Sequence, residues 1–299
     1  MSELISVDTL AVDSSQTTDN SINFKADLTA LDTVFADGAL IKFEYGTNSD
    51  LSASTHNHED DRGLFDVGEV TSQITGLNAD TQYYYKAVGE TVTFNSQTSM
   101  QNAVQSKGFM SDLANSETAM TEIINSETAM TEVANSVTSR TNILASPYVI
   151  DTVWSSATAS EKIWGSGTPT PPHSYNNDFS SSLVTSPTGN GEALKIEGIN
   201  PDNSGTRFWE LLIDVTGFNS LTINTNWSTS DNGSNMKYQI DINSNVLFSA
   251  DANNTFGWTE RTFDVSSYTG EVTLSMGINF TSSSYHGTFT AQFADIQLS

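Results

Sequence analysis

A mainly β chain carrying a helical-repeat stalk is what this 299-residue sequence predicts, and three observations predict it. Period-two segments bounded by turn residues fill both ends. A ten-residue repeat runs between them. A Gly/Pro run, Gly165-Ser-Gly-Thr-Pro-Thr-Pro-Pro172, stops the repeat before the second β region. These changes place a β-sandwich over residues 1–97, a helical stalk over 98–166, a linker over 167–179 and a second sandwich or jelly roll over 180–299. A chain of this length holds two ordinary domains with their own cores and something extended between them.

In the first module, alternation is clear in Ile22-Asn-Phe24-Lys-Ala-Asp-Leu28, Leu40-Ile-Lys-Phe43-Glu-Tyr45 and Val70-Thr-Ser-Gln-Ile74. The stretch Gly76-Leu77-Asn-Ala79-Asp-Thr81-Gln-Tyr83-Tyr84-Tyr85-Lys-Ala87-Val88 resembles the fibronectin type III signature, with Ala79 where that family usually carries Pro. Phe43-Glu-Tyr45-Gly46-Thr47 is similar to the third strand and turn of the same domains. The resemblance implies a structural corner tyrosine at Tyr83 or Tyr84, its hydroxyl bonded to backbone a few residues upstream. His56-Asn-His58-Glu59-Asp60-Asp61 is the one local cluster with metal-ligand chemistry, two imidazoles followed by carboxylates. It reads equally well as a solvated acidic turn.

The stalk carries the most specific signal. Ala114-Asn-Ser-Glu-Thr-Ala-Met-Thr-Glu-Ile123 is followed by Ile124-Asn-Ser-Glu-Thr-Ala-Met-Thr-Glu-Val133 and Ala134-Asn-Ser-Val-Thr-Ser-Arg-Thr-Asn-Ile143, and Ser recurs every ten residues from Ser106 to Ser166. In one continuous helix, ten residues at about 100° each would leave the apolar stripe about 80° short of closure at every repeat, against about 20° in coiled coils. Short helices of two turns fit better, each with the recurring Ser as N-cap and with Glu117 or Glu127 at the positive end. Ser146-Pro147 favours the same reading, because proline is tolerated at the first helical position and damaging further in. Met120, Ile123 and Ile124 share one face, which a two-turn helix cannot bury alone. Other copies of the chain are the simplest cover, giving a homotrimeric stalk; an intramolecular helical solenoid is the alternative. Trp154 and Trp164 read as a hydrophobic plug closing the stalk.

Beyond the linker, segments from Ala193-Leu-Lys-Ile196 to Phe289-Thr-Ala-Gln-Phe293-Ala-Asp295-Ile296 repeat at strand spacing, which indicates a sandwich or jelly roll. The closing half, Gly257-Trp258-Thr-Glu-Arg-Thr-Phe263-Asp264-Val265 through Phe293-Ala-Asp295-Ile296-Gln-Leu298, resembles carbohydrate-binding modules of the jelly-roll type. That resemblance implies a sugar ligand and, at Asp295, a share in a structural calcium site. Sugar recognition needs flat aromatic faces with amides and carboxylates beside them. Trp258, Tyr285, His286, Trp227 and Tyr238 are the candidates, with loop-borne Tyr285 and His286 favoured and Trp209 assigned to the core.

Composition narrows the partners. Thirty-six acidic against 11 basic residues give a formal net charge of -25, which repels a phosphate backbone and excludes nucleic acid as a partner. So acidic a surface resembles that of proteins from extreme halophiles. There is no Cys, so neither disulfides nor thiolate metal sites arise. No run of about 18 apolar residues is present to insert in a bilayer. Met1-Ser-Glu-Leu-Ile-Ser-Val-Asp8 lacks the pattern of an export signal, so the expectation is synthesis in a host cytoplasm and release within a virus particle. The Asn-Ser-x-x-Ala-Met units resemble tail fibres and related appendages of tailed viruses, which implies a trimeric virion protein with the N-terminal end on other virion proteins and the C-terminal module on a host surface glycan or glycoprotein. No Gly-x-Ser-x-Gly, His-Glu-x-x-His or phosphate-loop pattern occurs, and the expectation is a binder, not an enzyme. The alternatives are a capsid-mounted spike, a depolymerase spike and a cell-surface adhesin.

Overall fold

The computed structural model describes residues 5–10, 20–169, 179–187, 191–199, 205–230, 236–251, 255–280 and 288–299. The chain divides into two compact units, Met1–Ile143 and Leu144–Ser299, so the division falls inside the ten-residue repeat.

The N-terminal unit opens with a sandwich. Strands β1 (Ile5–Thr9), β2 (Ser21–Leu31), β3 (Gly38–Gly46), β4 (Thr55–His56), β5 (Arg62–Leu64), β6 (Gly68–Thr75) and β7 (Tyr84–Val92) form one sheet in the order β1-β2-β6 and a second in which β3 pairs with β4, β5 and β7. Alternation sends Phe24, Ala26 and Leu28 of β2, Ala39, Ile41 and Phe43 of β3, and Val70 and Ile74 of β6 into one core. Tyr85 stacks on Phe24 with ring centroids 4.0 Å apart, and its hydroxyl donates to the carbonyl of Leu10. The corner falls on Tyr83, whose hydroxyl accepts from the backbone N–H of Asn78 at 3.1 Å, five residues upstream.

After β7 the chain enters the repeat: α1 (Gln97–Ala103), α2 (Lys107–Ala114), α3 (Glu117–Ile123), α4 (Glu127–Asn135) and α5 (Val137–Leu144). Each helix is short because each begins anew at a serine. Ser96, Ser106, Ser116 and Ser126 sit in extended conformation, and their Oγ atoms accept from the backbone N–H three residues on. The units then coil within the chain. Helix α4 packs on α1, three units back. Ser126 Oγ donates to the carbonyl of Phe94 at 2.7 Å, Ser139 Oγ to that of Val104 at 2.9 Å, and the amides of Gln97 and Gln101 to Glu132 Oε1. These partners lie 31 to 35 residues apart, so one turn of the coil takes three units.

This coil corrects the expected reason for self-association. Met100, Met110, Met120 and Met130, with Leu113, Ile123 and Val133, are fully buried within a single chain, so the apolar faces need no second copy to cover them. In the next unit Arg140 takes the methionine's place and is also buried; its guanidinium donates to the carbonyl of Ala134 at the end of α4, one of the acceptors a helix terminus leaves open. Residues 147–155 form turns, not the two-turn helix expected after Ser146-Pro147, although Ser146 Oγ still accepts from the N–H of Tyr148.

In the C-terminal unit, α6 (Ala157–Gly165) is followed by β8 (Thr168–Pro169), β9 (Phe179–Thr185), β10 (Glu192–Ile199), β11 (Gly205–Asp214), β12 (Ser220–Thr229), β13 (Met236–Ile242), β14 (Asn245–Asp251), β15 (Phe256–Asp264), β16 (Glu271–Phe280) and β17 (Thr288–Leu298). They make two five-stranded sheets, β15-β12-β17-β10-β9 and β14-β13-β16-β11-β8. Every pairing is antiparallel, giving the jelly-roll type of sandwich the sequence predicts. Tyr238 of one sheet stacks on Phe293 of the other at 5.2 Å, which shows how the two inner faces meet. Part of the Gly/Pro run joins a sheet, since Pro169 and Thr168 pair with Trp209 and Glu210. Trp154 and Trp164, expected to plug the stalk, instead pack into the core of this sandwich. Their indole N–H groups donate to the carbonyls of Ile296 and Glu192, and Trp164 lies 5.1 Å from Trp209.

Candidate functional site

Among the described residues, the two sheets sort the expected ligand contacts into inside and outside. Strand β12 alternates strictly, with Leu221, Ile223, Thr225 and Trp227 buried. Trp227 is therefore a core residue and not a sugar platform: it is 0 % exposed and lies 5.6 Å from Tyr238 and 6.1 Å from Phe289. Tyr238 is corrected likewise. It too is 0 % exposed, and burial pushes its hydroxyl well above the ordinary tyrosine value. In both strands the apolar residues share one face, Leu221, Ile223 and Trp227 on β12 and Met236, Tyr238, Ile240 and Ile242 on β13, so alternation alone already points both aromatic residues inward. Tyr285 and His286 lie outside the described residues.

Trp258 remains partly exposed on edge strand β15. The register of β12 against β15 slips there, so that Gly257 and Trp258 together stand opposite Asn226. Asn226 donates its amide to Gln292 Oε1 on β17 at 2.8 Å, which sets an aromatic residue beside a fixed amide pair.

A more extended array lies on the other sheet. On β13, Tyr238, Ile240 and Ile242 point into the core, so Lys237, Gln239 and Asp241 point away from it. The registers of β13 with β16 and of β16 with β11 build a grid of three rows on that outer side: Lys237, Asn279 and Thr206; Gln239, Gly277 and Phe208; Asp241, Ser275 and Glu210. Gly277 puts no side chain at the centre, next to the Phe208 ring. Around it the polar groups are held and largely buried, Gln239 at 7 % and Asp241 at 4 % exposure, so Phe208, Lys237 and Asn279 are the more accessible members of the grid. Gln239 Nε2 donates to both oxygens of Asp241, at 2.9 and 2.8 Å, and Gln239 Oε1 accepts from Asn279 Nδ2 at 3.1 Å. Burial raises the Asp241 carboxyl above its ordinary value, and the Gln239 amide opposes that rise. Reading Phe208-Trp-Glu-Leu-Leu-Ile213 as one apolar run missed Phe208 as an outer residue, although the burial of Trp209 was foreseen; Glu210, set between apolar residues, was the available signal.

Asp295 occupies a bulge of β17, where it and Ile296 together face Ile223, and its φ of 54° is left-handed. Its Oδ2 accepts from Asn224 Nδ2 at 2.7 Å; Oδ1 is buried with no hydrogen-bond partner. Burial raises its carboxyl, the Asn224 bond lowers it and the charge of Glu260 raises it further. A cation would satisfy the open oxygen and ease the repulsion from Glu260. These are two carboxylates of the six to eight oxygens that calcium takes, so the donor set fits in part.

His56 and His58 do come together. His56 Nε2 lies 2.6 Å from Asp61 Oδ1 and His58 Nδ1 3.3 Å from Asp61 Oδ2. Burial, then the charges of Asp61 and Glu59, raise the neighbouring Asp60 carboxyl.

No protein-family model matches the chain, and no curated protein matches it. Solved structures do align with part of it. One is the carbohydrate-binding module CBM36 in complex with calcium and xylotriose, 13% identical over 44% of this chain and 93% of its own, with a TM-score of 0.26. CBM27-1 of Caldicellulosiruptor saccharolyticus, in complex with mannohexaose, is 17% identical over 40% of this chain and 81% of its own, with a TM-score of 0.26. The cellulose induced protein Cip1 is 13% identical over 44% and 90%, with a TM-score of 0.31. Likeness at this level assigns neither family nor ligand.

Proposed function

We propose that the C-terminal sandwich binds a carbohydrate chain on the outer side of β13, β16 and β11. The observation that carries this reading is the grid around Gly277. A flat ring, Phe208, stands beside a strand position with no side chain, and a fixed chain from the Asn279 amide through the Gln239 amide to the Asp241 carboxylate borders that position. Pyranose rings present apolar faces to aromatic rings and hydroxyls at their edges, so such a surface meets both parts of the ligand. Calcium at Asp295 belongs to the same reading as a support of the last strand, holding the buried oxygen that lacks a protein partner. In the full chain the module serves attachment. The acidic composition, the ten-residue units and a β module at each end support a virion appendage, a tail fibre of a tailed virus from a salt-rich habitat, with the N-terminal end on other virion proteins and assembly as a trimer.

A glycan array probed in high salt tests the binding. Retained glycans are expected, with Phe208→Ala weakening capture about tenfold, which corresponds to about 1.4 kcal/mol. An array on which the wild-type chain captures nothing sinks the reading. If Trp258→Ala abolishes capture and Phe208→Ala does not, the site moves to the Trp258, Asn226 and Gln292 face. Negative-stain microscopy of isolated particles with a labelled antibody tests the appendage role, and light scattering of the purified chain tests the trimer.

One observation favours a second reading. Asp241 and Glu210 flank Ser275 on either side, two strand spacings or roughly 9–10 Å apart, near the separation of the carboxylates in inverting glycosidases. Both Asp241 oxygens are already engaged by Gln239, which favours binding over hydrolysis. New reducing ends on incubation with surface glycans would reverse that preference.

A further inference from the structure

Away from the sandwich just described, the loop between β4 and β5 folds a carboxylate under two imidazoles. His56 closes β4, where it pairs with Glu44 of β3. The next residues turn back sharply: the N–H of Asp60 donates to the carbonyl of Asn57 at 3.0 Å and that of Glu59 to Asn57 Oδ1 at 3.2 Å. The turn carries His58 and Asp61 round onto His56. One ligand atom from each of the three residues then lies within 4.8 Å of the others, and the two rings meet edge to face with centroids 4.7 Å apart. The Asp61 side chain is 0 % exposed, that of His56 25% and that of His58 49%, so the trio is closed beneath and open on the His58 side.

The loop is held from outside itself as well. Asp112 of α2 accepts from Arg62 Nη2 at 2.6 Å and from the N–H of Gly63 at 2.7 Å. Gly108, in the first turn of α2, sits so close that a Cβ there would lie 1.7 Å from the carbonyl oxygen of Asp61. Any side chain at 108 would push the helix off the loop. The three donor groups are thus fixed by the fold before any ligand arrives, which removes most of the ordering cost that weakens metal sites on free loops.

We propose that His56, His58 and Asp61 form a binding site for a borderline divalent transition cation of the zinc type. Two imidazole nitrogens and one carboxylate oxygen are the donor set such ions select, and three protein ligands leave a fourth tetrahedral position for water on the exposed side. Calcium and magnesium are poorly matched, because they ask for shells of oxygen. Glu59 and Asp60 add two further carboxylates to the same loop, so a dication also meets charge of the opposite sign. The competing account is a loop lock made of imidazole–carboxylate hydrogen bonds alone.

Titration of the chelator-treated full-length chain with Zn²⁺ against a chromogenic competitor separates the two. The site predicts about one equivalent per chain, with His58→Ala and His56→Ala each weakening affinity at least about tenfold. Co²⁺ is expected to give the visible bands of a tetrahedral ion, lost in the double variant, whose circular dichroism reports whether the unit stays folded. A large excess of Ca²⁺ should not displace the metal. The proposal is overturned if the wild-type chain binds no stoichiometric Zn²⁺, or if the folded double variant binds it equally well, which would place the metal on the acidic surface or at His173 or His286.

Discussion

The coil of the N-terminal unit and the outer sheet face of the C-terminal unit are both built on a short repeating register, yet they treat polar groups in opposite ways. In the coil, serine hydroxyls are consumed internally: Ser126 Oγ accepts from the N–H of Ala129 and donates to the carbonyl of Phe94. On the sheet face, Gln239, Asp241 and Asn279 are joined to one another on the side away from the core. A period of ten lets one residue in each unit cap while others pack. A period of two dedicates a whole face to either task. The coil should therefore answer to substitution with stability, and the sheet face with binding.

The largest effect is expected at Ile123, fully buried in α3. Ile123→Ala should cost about 2–5 kcal/mol in urea denaturation, whereas Phe208→Ala, at a partly exposed position, should cost clearly less and act on glycan capture. Equal stability losses would erase the contrast. Next comes Asp112→Ala, which leaves the N–H of Gly63 and the Arg62 guanidinium without their shared acceptor and should cost about 1–3 kcal/mol.

A finer comparison lies within the coil. Ser116→Ala removes a cap alone, for about 1 kcal/mol, whereas Ser126→Ala removes a cap and the bond to Phe94 and should cost about 1 kcal/mol more. Similar losses at both sites would mean that the contact between successive turns contributes nothing. The smallest effect is in acid. Burial raises the carboxyls of Asp112, Asp241 and Asp295, so the folded chain holds their protons more tightly than the unfolded one. Their contribution grows as pH falls from neutral through those raised values and is lost as pH rises again. Asp50 and Asp264, lowered by hydrogen bonds from Ser52 and Ser266, pull the other way from fully exposed positions. The melting temperature should rise between pH 7 and about pH 5, and less so in Asp241→Asn. A steady fall would contradict this.

The caps at Ser106, Ser116, Ser126, Ser136 and Ser156 were legible because a serine before a helical unit has one local role, to accept from an N–H three residues later; Ser166 instead closes α6 at its C-terminal end. Whether the units coil within one chain or pack between chains stays open in the sequence, with the solenoid as the second choice. It depends on the angle at each junction, and the contacts that reveal it join residues more than thirty apart, such as Ser139 with Val104. The β modules were legible as alternation, and that alternation placed Trp227 and Tyr238 inside; the phase was not legible on β11, where Phe208 and Leu212 face one way and Trp209, Leu211 and Ile213 the other. His56 and His58 announced themselves by spacing. The depth of Asp61, and the hold of Asp112 on the loop fifty residues before it, needed the fold.

Three units per turn also has a consequence for length. Adding or deleting a single ten-residue unit would move every later unit of the coil by about a third of a turn and set it on a different neighbour below, whereas three units at once would restore each contact and change only the number of turns. Such a coil works as a vernier, in which ten residues set the register between turns and thirty add a turn.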